Sequence, residues 1–319
     1  MSNDSVKKLQ INDKGFIAFD VIPGKKYKWM MHESQEWFDK AKKIQGSDWY
    51  WNDPHIDVEY VFDSFGFRNH KELEEISQNE WWLLDAGCPT LGPGVNRFDT
   101  CASVLSDIGD FGVYDTSLFG NRPEYAAHNL LELSKRWHKP PSRIMLAVAE
   151  NPTGTFKITD HNTIHNIDYA GSLLYPNEPD YAFFREYEST TIPTSQHTIL
   201  YRTIIKLCEK LDIELTFMNL GGNSLEETTE ISSAHQFKND VDIFSMEVVG
   251  GSVGAYHKDD TFEQRQQICK ERIFTPIITC QPPKGYERED VGRDLIHPSI
   301  KTHQLFAQNI ANHFNLSCY

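Results

Sequence analysis

The chain has 319 residues, a formal net charge of −15, and 39% hydrophobic residues with 12% aromatics. This charge would repel a nucleic acid or an anionic membrane surface, so we expect neither as a partner. No apolar run approaches the roughly 20 residues that a transmembrane helix needs. The N-terminus has no apolar segment behind its charges, and the six cysteines lack Cys-x-x-Cys spacing. These features predict a cytoplasmic protein with free thiols and without a zinc site or cofactor.

Residues 1–78 are predicted to form an N-terminal extension that packs on the main domain. It has a candidate strand at 16–22 and candidate helices at 33–44 and 71–77. Its aromatic side chains could line a groove for sugars, but packing onto the main domain is the favoured interpretation. The aromatic residues in question are Trp49, Tyr50, Trp51, Tyr60 and Phe62.

In the main domain, residues 79–319, strands alternate with helices. Strands are predicted at 81–85, 112–116, 143–149, 213–218 and 242–246, and helices at 97–106, 124–137, 196–211 and 303–313. The third strand is a continuous apolar run, which is typical of a sheet buried on both faces. We therefore predict a three-layer α/β/α sandwich with a central, mainly parallel sheet of flavodoxin-like type. Sites in such folds lie beyond the carboxyl ends of the strands.

The segment at about 152–194 shows no regular period and is longer than an ordinary connection, so we predict a lid or substrate wall. Its neighbouring Asn, Gly and Thr residues favour a loop over the helix that a metal site would need. No metal is therefore predicted for its four potential ligands, Asp160, His161, His165 and Asp168. Glycine pairs at 221–222 and 250–251 lack phosphate-loop spacing and are predicted to be turns.

A candidate general base lies near the C-terminus. Asp294 stands three residues before His297, in a turn that leads into the last predicted helix, and a carboxylate so placed can orient an imidazole. Further candidates follow the first three predicted strands of the main domain: Cys88, Gly120 and Asn151. The sequence therefore predicts a polar site where these strands end.

Four stretches of the chain resemble, in the correct order, the four conserved blocks of the SGNH, or GDSL-like, hydrolases. The stretch 86–92 (AGCPTLG) is similar to the Gly-Asp-Ser block, and 115–120 to the Asn-x-x-x-x-Gly block. The stretch 149–152 is similar to the Gly-x-Asn-Asp block, and 294–298 to the Asp-x-x-His-Pro block. The resemblance covers about residues 81 to 315, and 65–68 (FGFR) looks like a lead-in found in some such proteins.

The resemblance also has departures. Cys88 replaces the family's serine, Gly87 its aspartate, and Pro152 the aspartate of the third block, while Asp115 stands where the family usually has Asn. A thiol ionises near pKa 8.5, more readily than a hydroxyl, so the first change preserves nucleophilic chemistry.

The resemblance implies hydrolysis of a small-molecule acyl ester or thioester, an acylated carbohydrate among the candidates. Cys88 would be the nucleophile, His297 the base and Asp294 its orienting carboxylate. The backbone N–H groups of Cys88 and Gly120 and the side chain of Asn151 would form the oxyanion hole.

Several alternatives remain. Cys88 could be a small buried hydrophobe, and Thr90 is the nearest hydroxyl if the alignment slips. Gly120 and Asn151 could be turn residues. The chain could also be an acyltransferase, or a catalytically lapsed relative that binds a carbohydrate or an acylated ligand.

Overall fold

The structure, a computed structural model, describes residues 5–6, 9–30, 33–36, 38–39, 42, 51, 57–119, 123–147, 155–160, 163–168, 192–219, 242–245, 247–249, 275–277, 293, 297 and 299–316. In chain order the strands are β1 (Ser5–Val6), β2 (Leu9–Ile11), β3 (Ile17–Phe19), β4 (Trp29–Met30), β5 (Trp81–Asp85), β6 (Gly112–Asp115), β7 (Arg143–Ala147), β8 (Thr155–Asp160), β9 (Thr163–Asp168), β10 (Glu214–Asn219), β11 (Asp242–Ser245), β12 (Glu247–Val249) and β13 (Thr275–Ile277). The helices are α1 (Leu73–Ile76), α2 (Cys88–Leu91), α3 (Cys101–Gly109), α4 (Pro123–Leu133), α5 (Ile192–Leu211) and α6 (Ile300–His313).

A five-stranded parallel sheet forms the centre of the main domain. Its strand order is β11-β10-β7-β5-β6, with Trp82 of β5 paired to Arg143 of β7 and to Val113 of β6. Numbered along the chain, these strands run 2-1-3-4-5 across the sheet, which is the flavodoxin-like order. Strand connections diverge to opposite sides at β5 and β7, so a crevice is expected beyond the carboxyl ends of these two strands.

The two faces of the sheet are covered by different helices. Alternate strand residues point to opposite faces, so Leu83 and Ile144 pack with residues of α4 and α5. Leu84 and Met145 pack with residues of α3 and α6 on the other face. The predicted three-layer α/β/α sandwich is therefore confirmed.

Most predicted elements of the main domain are confirmed with small shifts at their ends. The helix predicted at 97–106 is wrong at its start, because Arg97–Asp99 form a 3₁₀ turn and α3 begins only at Cys101. The cause is Thr100, which has extended backbone angles and whose side chain accepts the Ser103 N–H as an N-cap.

The N-terminal extension contributes to the same core as the sheet. Phe16 and Phe19 belong to the apolar cluster that contains Leu83. Asn129 of α4 also accepts the Ile17 N–H at 2.9 Å and donates to the Ile17 carbonyl at 2.9 Å. The domain boundary at residue 78 stays a prediction. The strand predicted at 16–22 is shorter in the structure, where β3 spans only Ile17–Phe19.

The aromatic residues of the extension that the structure describes are packed inside the protein. Trp51, Tyr60 and Phe62 are all buried and belong to the first apolar cluster, which agrees with packing rather than with an open groove for sugars. Trp49 and Tyr50 lie outside the described residues.

The segment 152–194 contains regular structure that was not predicted from its sequence. β8 and β9 form an antiparallel hairpin in which Ile158 pairs with His165. A metal site with histidines one helical turn apart would need a helix here, and residues 155–160 and 163–168 are strands instead. His161 lies outside the described residues. Among the residues that the structure describes, no group of three metal-ligating side chains occurs. None of the described helices is long and apolar enough to cross a membrane.

Candidate functional site

Cys88 is placed at the crevice by a sharp turn beyond β5. The strand ends at Asp85, and Cys88 is the first residue of α2. Gly87 between them has φ 70° and ψ −163°, a combination open essentially only to glycine. A glycine at position 87 is therefore required by the backbone conformation of this turn. As a first helical residue, Cys88 has an N–H without an acceptor inside its helix.

The helix α2 was not predicted from the sequence. Its signal is Pro89, because proline suits the first turn of a helix, where its missing N–H is not needed. Gly92 then ends the helix with φ 73°. A Cβ at Gly92 would lie 2.9 Å from side-chain atoms of both Thr100 and Val95, so this turn also requires glycine.

The loop after β6 supports the turn that carries Cys88. Ser117 Oγ accepts the Ala86 N–H at 2.8 Å and lies 2.9 Å from Thr90 Oγ1. The Ser117 N–H in turn donates to Asp115 Oδ1 at 2.8 Å. Thr90 is fully buried and also donates to the Gly87 carbonyl at 3.2 Å. Thr90 is therefore a structural support of this turn, which argues against it as the nucleophile.

The lead-in at 65–68 and the following Asn69 lie between the loops that follow β5 and β6. The Arg68 guanidinium donates to the carbonyl of Leu91 at 2.9 Å and also to those of Gly92 and Val95. Asn69 accepts the Asp115 N–H at 2.8 Å and donates to the Asp115 carbonyl at 3.0 Å. The sequence analysis noted Arg68 only as part of a motif, and its role in holding α2 was missed.

Two carboxyl groups are buried where β5 and β6 end. Burial raises the pKa of Asp115 to about 6. Burial, and then the charge of Asp115, raise the pKa of Asp85 well above its ordinary value. Asp85 Oδ2 accepts a hydrogen bond from Thr116 Oγ1 at 3.2 Å. Ionisation of both carboxyl groups at the same time is therefore unfavourable at this edge of the sheet.

His297 lies against the same group of loops. It is 1% exposed, and its ring centroid lies 5.7 Å from that of Phe119, in the loop after β6. The backbone N–H of Arg293 donates to the carbonyl of Gly94, beyond α2, at 3.4 Å. The structure thus brings the His297 segment to the loops that follow β5 and β6. Of the other predicted site residues, Asp294, Gly120 and Asn151 lie outside the described residues.

A second buried imidazole, missed by the sequence analysis, lies in the first turns of α6. His303 Nδ1 accepts the Cys101 N–H at 3.1 Å, which assigns the ring proton to Nε2. Burial, followed by the charges of Arg68 and His297, lowers the pKa of His303 to about 3. His303 is therefore a neutral structural histidine.

Three cysteines fall within the described residues, and all three are free thiols. Cys101 and Cys208 belong to the two apolar clusters that cover the faces of the sheet. Cys88, which is 7% exposed, belongs to neither cluster. It lies in the turn beyond β5, which Ser117 and Thr90 hold by hydrogen bonds to Ala86 and Gly87.

No family model matches the chain, and a comparison with curated proteins finds no match. Among solved structures, the esterase EstA from Pseudoalteromonas sp. is 10% identical with a TM-score of 0.39, covering 74% of this chain and 97% of that one. TesA is 10% identical with a TM-score of 0.38, covering 73% and 97%. The salicylyl-acyltransferase SsfX3 is 10% identical with a TM-score of 0.35, covering 78% and 56%. Likenesses this distant do not assign the chain to a family.

Proposed function

We propose that this chain is an SGNH-type hydrolase of an acyl ester or thioester that uses a cysteine nucleophile. Cys88 attacks, His297 is the general base and Asp294 orients it. The N–H groups of Cys88 and Gly120, with the side chain of Asn151, hold the oxyanion. The substrate is a small molecule, with an acylated carbohydrate among the candidates.

One observation carries this proposal: Cys88 begins a short helix directly beyond β5, at the crevice expected from the strand order. The residue before it has a glycine-only conformation, and the turn is held by Ser117 and Thr90. The hydrogen bond between Arg293 and Gly94 adds support, because Gly94 lies just beyond the same helix and Arg293 precedes His297 by four residues.

The proposed reaction has two stages. The Cys88 sulfur bonds to the acyl carbon as its proton passes to His297, and the carbonyl electrons move to the oxygen. The bond to the leaving group then breaks, and the departing alkoxide or thiolate takes the proton from His297. Water adds to the acyl carbon of the thioester and gives a proton to His297. The bond between that carbon and the Cys88 sulfur then breaks, the acid departs, and His297 returns the proton to the sulfur. Each donor to the oxyanion lowers the barrier by about 3 kcal/mol.

A panel of short-chain and long-chain aryl esters and thioesters tests the proposal. Wild type, Cys88→Ala and Cys88→Ser are compared by turnover and by intact mass. We expect turnover and an acyl adduct in the wild type and neither in Cys88→Ala. Equal turnover in all three proteins would remove Cys88 as the nucleophile.

The second candidate function is a catalytically lapsed binding protein, favoured by the altered Gly-Asp-Ser block and by the low exposure of Cys88. If the wild type neither turns over any ester of the panel nor forms an adduct, this candidate gains support. An acyltransferase differs from both, because it forms the adduct but releases the acyl group only to an added alcohol, amine or thiol.

A further inference from the structure

A buried ion pair joins the N-terminal extension to the segment that carries His297. Arg293 Nε donates to Glu33 Oε1 at 3.0 Å, and Nη2 donates to Glu33 Oε2 at 3.2 Å. Both side chains are 2% exposed. Two parallel hydrogen bonds between a guanidinium and a carboxylate fix orientation as well as distance. His297 follows four residues later, a reach of at most about 14 Å, so Arg293 limits where it can lie.

Tyr60 links this ion pair to the loop beyond α2. Its hydroxyl donates to Glu33 Oε2 at 2.6 Å and accepts the Gly94 N–H at 2.7 Å. The Gly94 carbonyl accepts the Arg293 N–H at 3.4 Å, which closes a ring of hydrogen bonds. We call Glu33, Tyr60, Gly94 and Arg293 the clamp. It joins the extension, the loop beyond the Cys88 helix and the His297 segment.

The other described contacts of the Arg293 side chain also come from the extension. Its guanidinium lies 4.4 Å from the centre of the Trp29 ring and 3.7 Å from Asp57 Oδ1. Burial alone would lower the pKa of Arg293, but the nearby Glu33 carboxylate and the hydrogen bonds to it outweigh burial and raise the pKa. The cation is therefore retained, and its position depends on Glu33.

We propose that Glu33 and Tyr60 are positioning residues for His297, so that the N-terminal extension is part of the catalytic apparatus. The inference rests on the proposed function, because it requires that His297 activates Cys88. Neither residue touches the reacting atoms. They act through Arg293 and Gly94, which together fix the His297 segment against the loop beyond α2.

The test is the rate at which iodoacetamide alkylates Cys88, read by peptide mass spectrometry, which needs no substrate. Near pH 6.5 only about 1% of an ordinary thiol is ionised, so fast alkylation there depends on the histidine. We expect His297→Ala to slow the reaction more than tenfold near pH 6.5 and less than about twofold near pH 9. Glu33→Gln is expected to slow it about tenfold near pH 6.5, and Tyr60→Phe about threefold, again with little change near pH 9.

Asn129→Ala is the matched control. Asn129 also anchors the extension, but it lies on α4 and bonds to the backbone of Ile17, away from the clamp. It should lower stability and leave the pH profile of Cys88 unchanged. Simple loosening of the fold would instead speed alkylation of Cys88, Cys101 and Cys208 together. If Glu33→Gln does not fold, Tyr60→Phe decides the question.

The outcomes separate the two proposals. Wild-type profiles in Glu33→Gln and Tyr60→Phe, with a collapsed rate in His297→Ala, would overturn the clamp and leave the catalytic proposal standing. A wild-type rate that does not depend on His297 would overturn both.

Discussion

Two regions of this molecule hold buried cysteines, and they differ in their place in the fold. In the apolar layers on the faces of the sheet, burial and then the charge of Glu209 raise the pKa of Cys208 to about 12, and burial raises that of Cys101 further. Cys88, at the carboxyl edge of the sheet, lies in a turn held by hydrogen bonds to Ser117 and Thr90. Depth of burial alone therefore does not separate a structural thiol from a candidate nucleophile.

The largest expected effect is at the proposed base. His297→Ala should lower turnover of the best substrate about 10²- to 10⁴-fold, because the thiol and the attacking water both lose their proton acceptor. Steady-state kinetics measure this. His303→Gln is the comparison, because His303 is neutral and accepts the Cys101 N–H. This variant should lower the free energy of unfolding and change turnover little. Equal losses of turnover would contradict the distinction between these histidines.

The next effect concerns the support of the Cys88 helix. Arg68→Met should lower the free energy of unfolding by about 3 kcal/mol, because the carbonyls of Leu91, Gly92 and Val95 lose a buried donor. Denaturant unfolding measures this change. Arg97→Met provides the control, since Arg97 is only partly buried and stacks on the exposed Phe98. A loss below about 1 kcal/mol for Arg68→Met would contradict the role given to Arg68.

Asp115→Asn tests the buried charge at this edge. The pKa of about 6 in the folded state lies above the ordinary 3.8, so this carboxyl contributes stability that is complete below pH 3.8 and is lost as the pH rises through about 6. Asparagine has no such loss and can still accept the Ser117 N–H. The wild-type free energy of unfolding minus that of the variant should therefore fall by about 1–3 kcal/mol between about pH 4 and about pH 7.5.

Unfolding curves at the two pH values measure that difference, and the exposed Asp107 on α3 supplies the control, Asp107→Asn. A difference that stays constant, or rises, with pH for Asp115→Asn would show that this carboxyl ionises normally.

The smallest expected effect is in the apolar layer. Cys208→Ala should lower the free energy of unfolding by about 1 kcal/mol and leave turnover unchanged, because only a small apolar group is removed. Kinetics and thermal unfolding measure the two quantities. A loss of turnover comparable with that of Cys88→Ala would remove the contrast between the edge and the layers.

Local patterns predicted most of the fold. The strand at 81–85 was predicted with its observed bounds, because an apolar run flanked by polar residues and glycine leaves few alternatives. The hairpin of β8 and β9 was missed, although Thr155–Asp160 alternates between polar and apolar residues; in Thr163–Asp168 the alternation breaks at His165 and Asn166. The helix α2 was missed, because Gly and Pro usually indicate turns.

Local patterns supplied only part of the proposed site. Cys88 follows a strand end and His297 belongs to a recognisable motif, so the sequence alone made both of them candidates. The bond between Arg293 and Glu33 was not predictable in this way, because 260 residues separate the partners and neither belongs to a local pattern. Contacts of that kind follow from the fold.

The most direct test of the central claim is to identify the residue that carries the acyl group during turnover. The wild type is quenched in acid while it hydrolyses its best ester or thioester, and the acylated peptide is mapped by mass spectrometry, with His297→Ala run in parallel. The account predicts an acyl group on Cys88 in the wild type and strongly slowed acylation in His297→Ala. An acyl group on Thr90 or Ser117, or steady turnover without any acylated peptide, would contradict it.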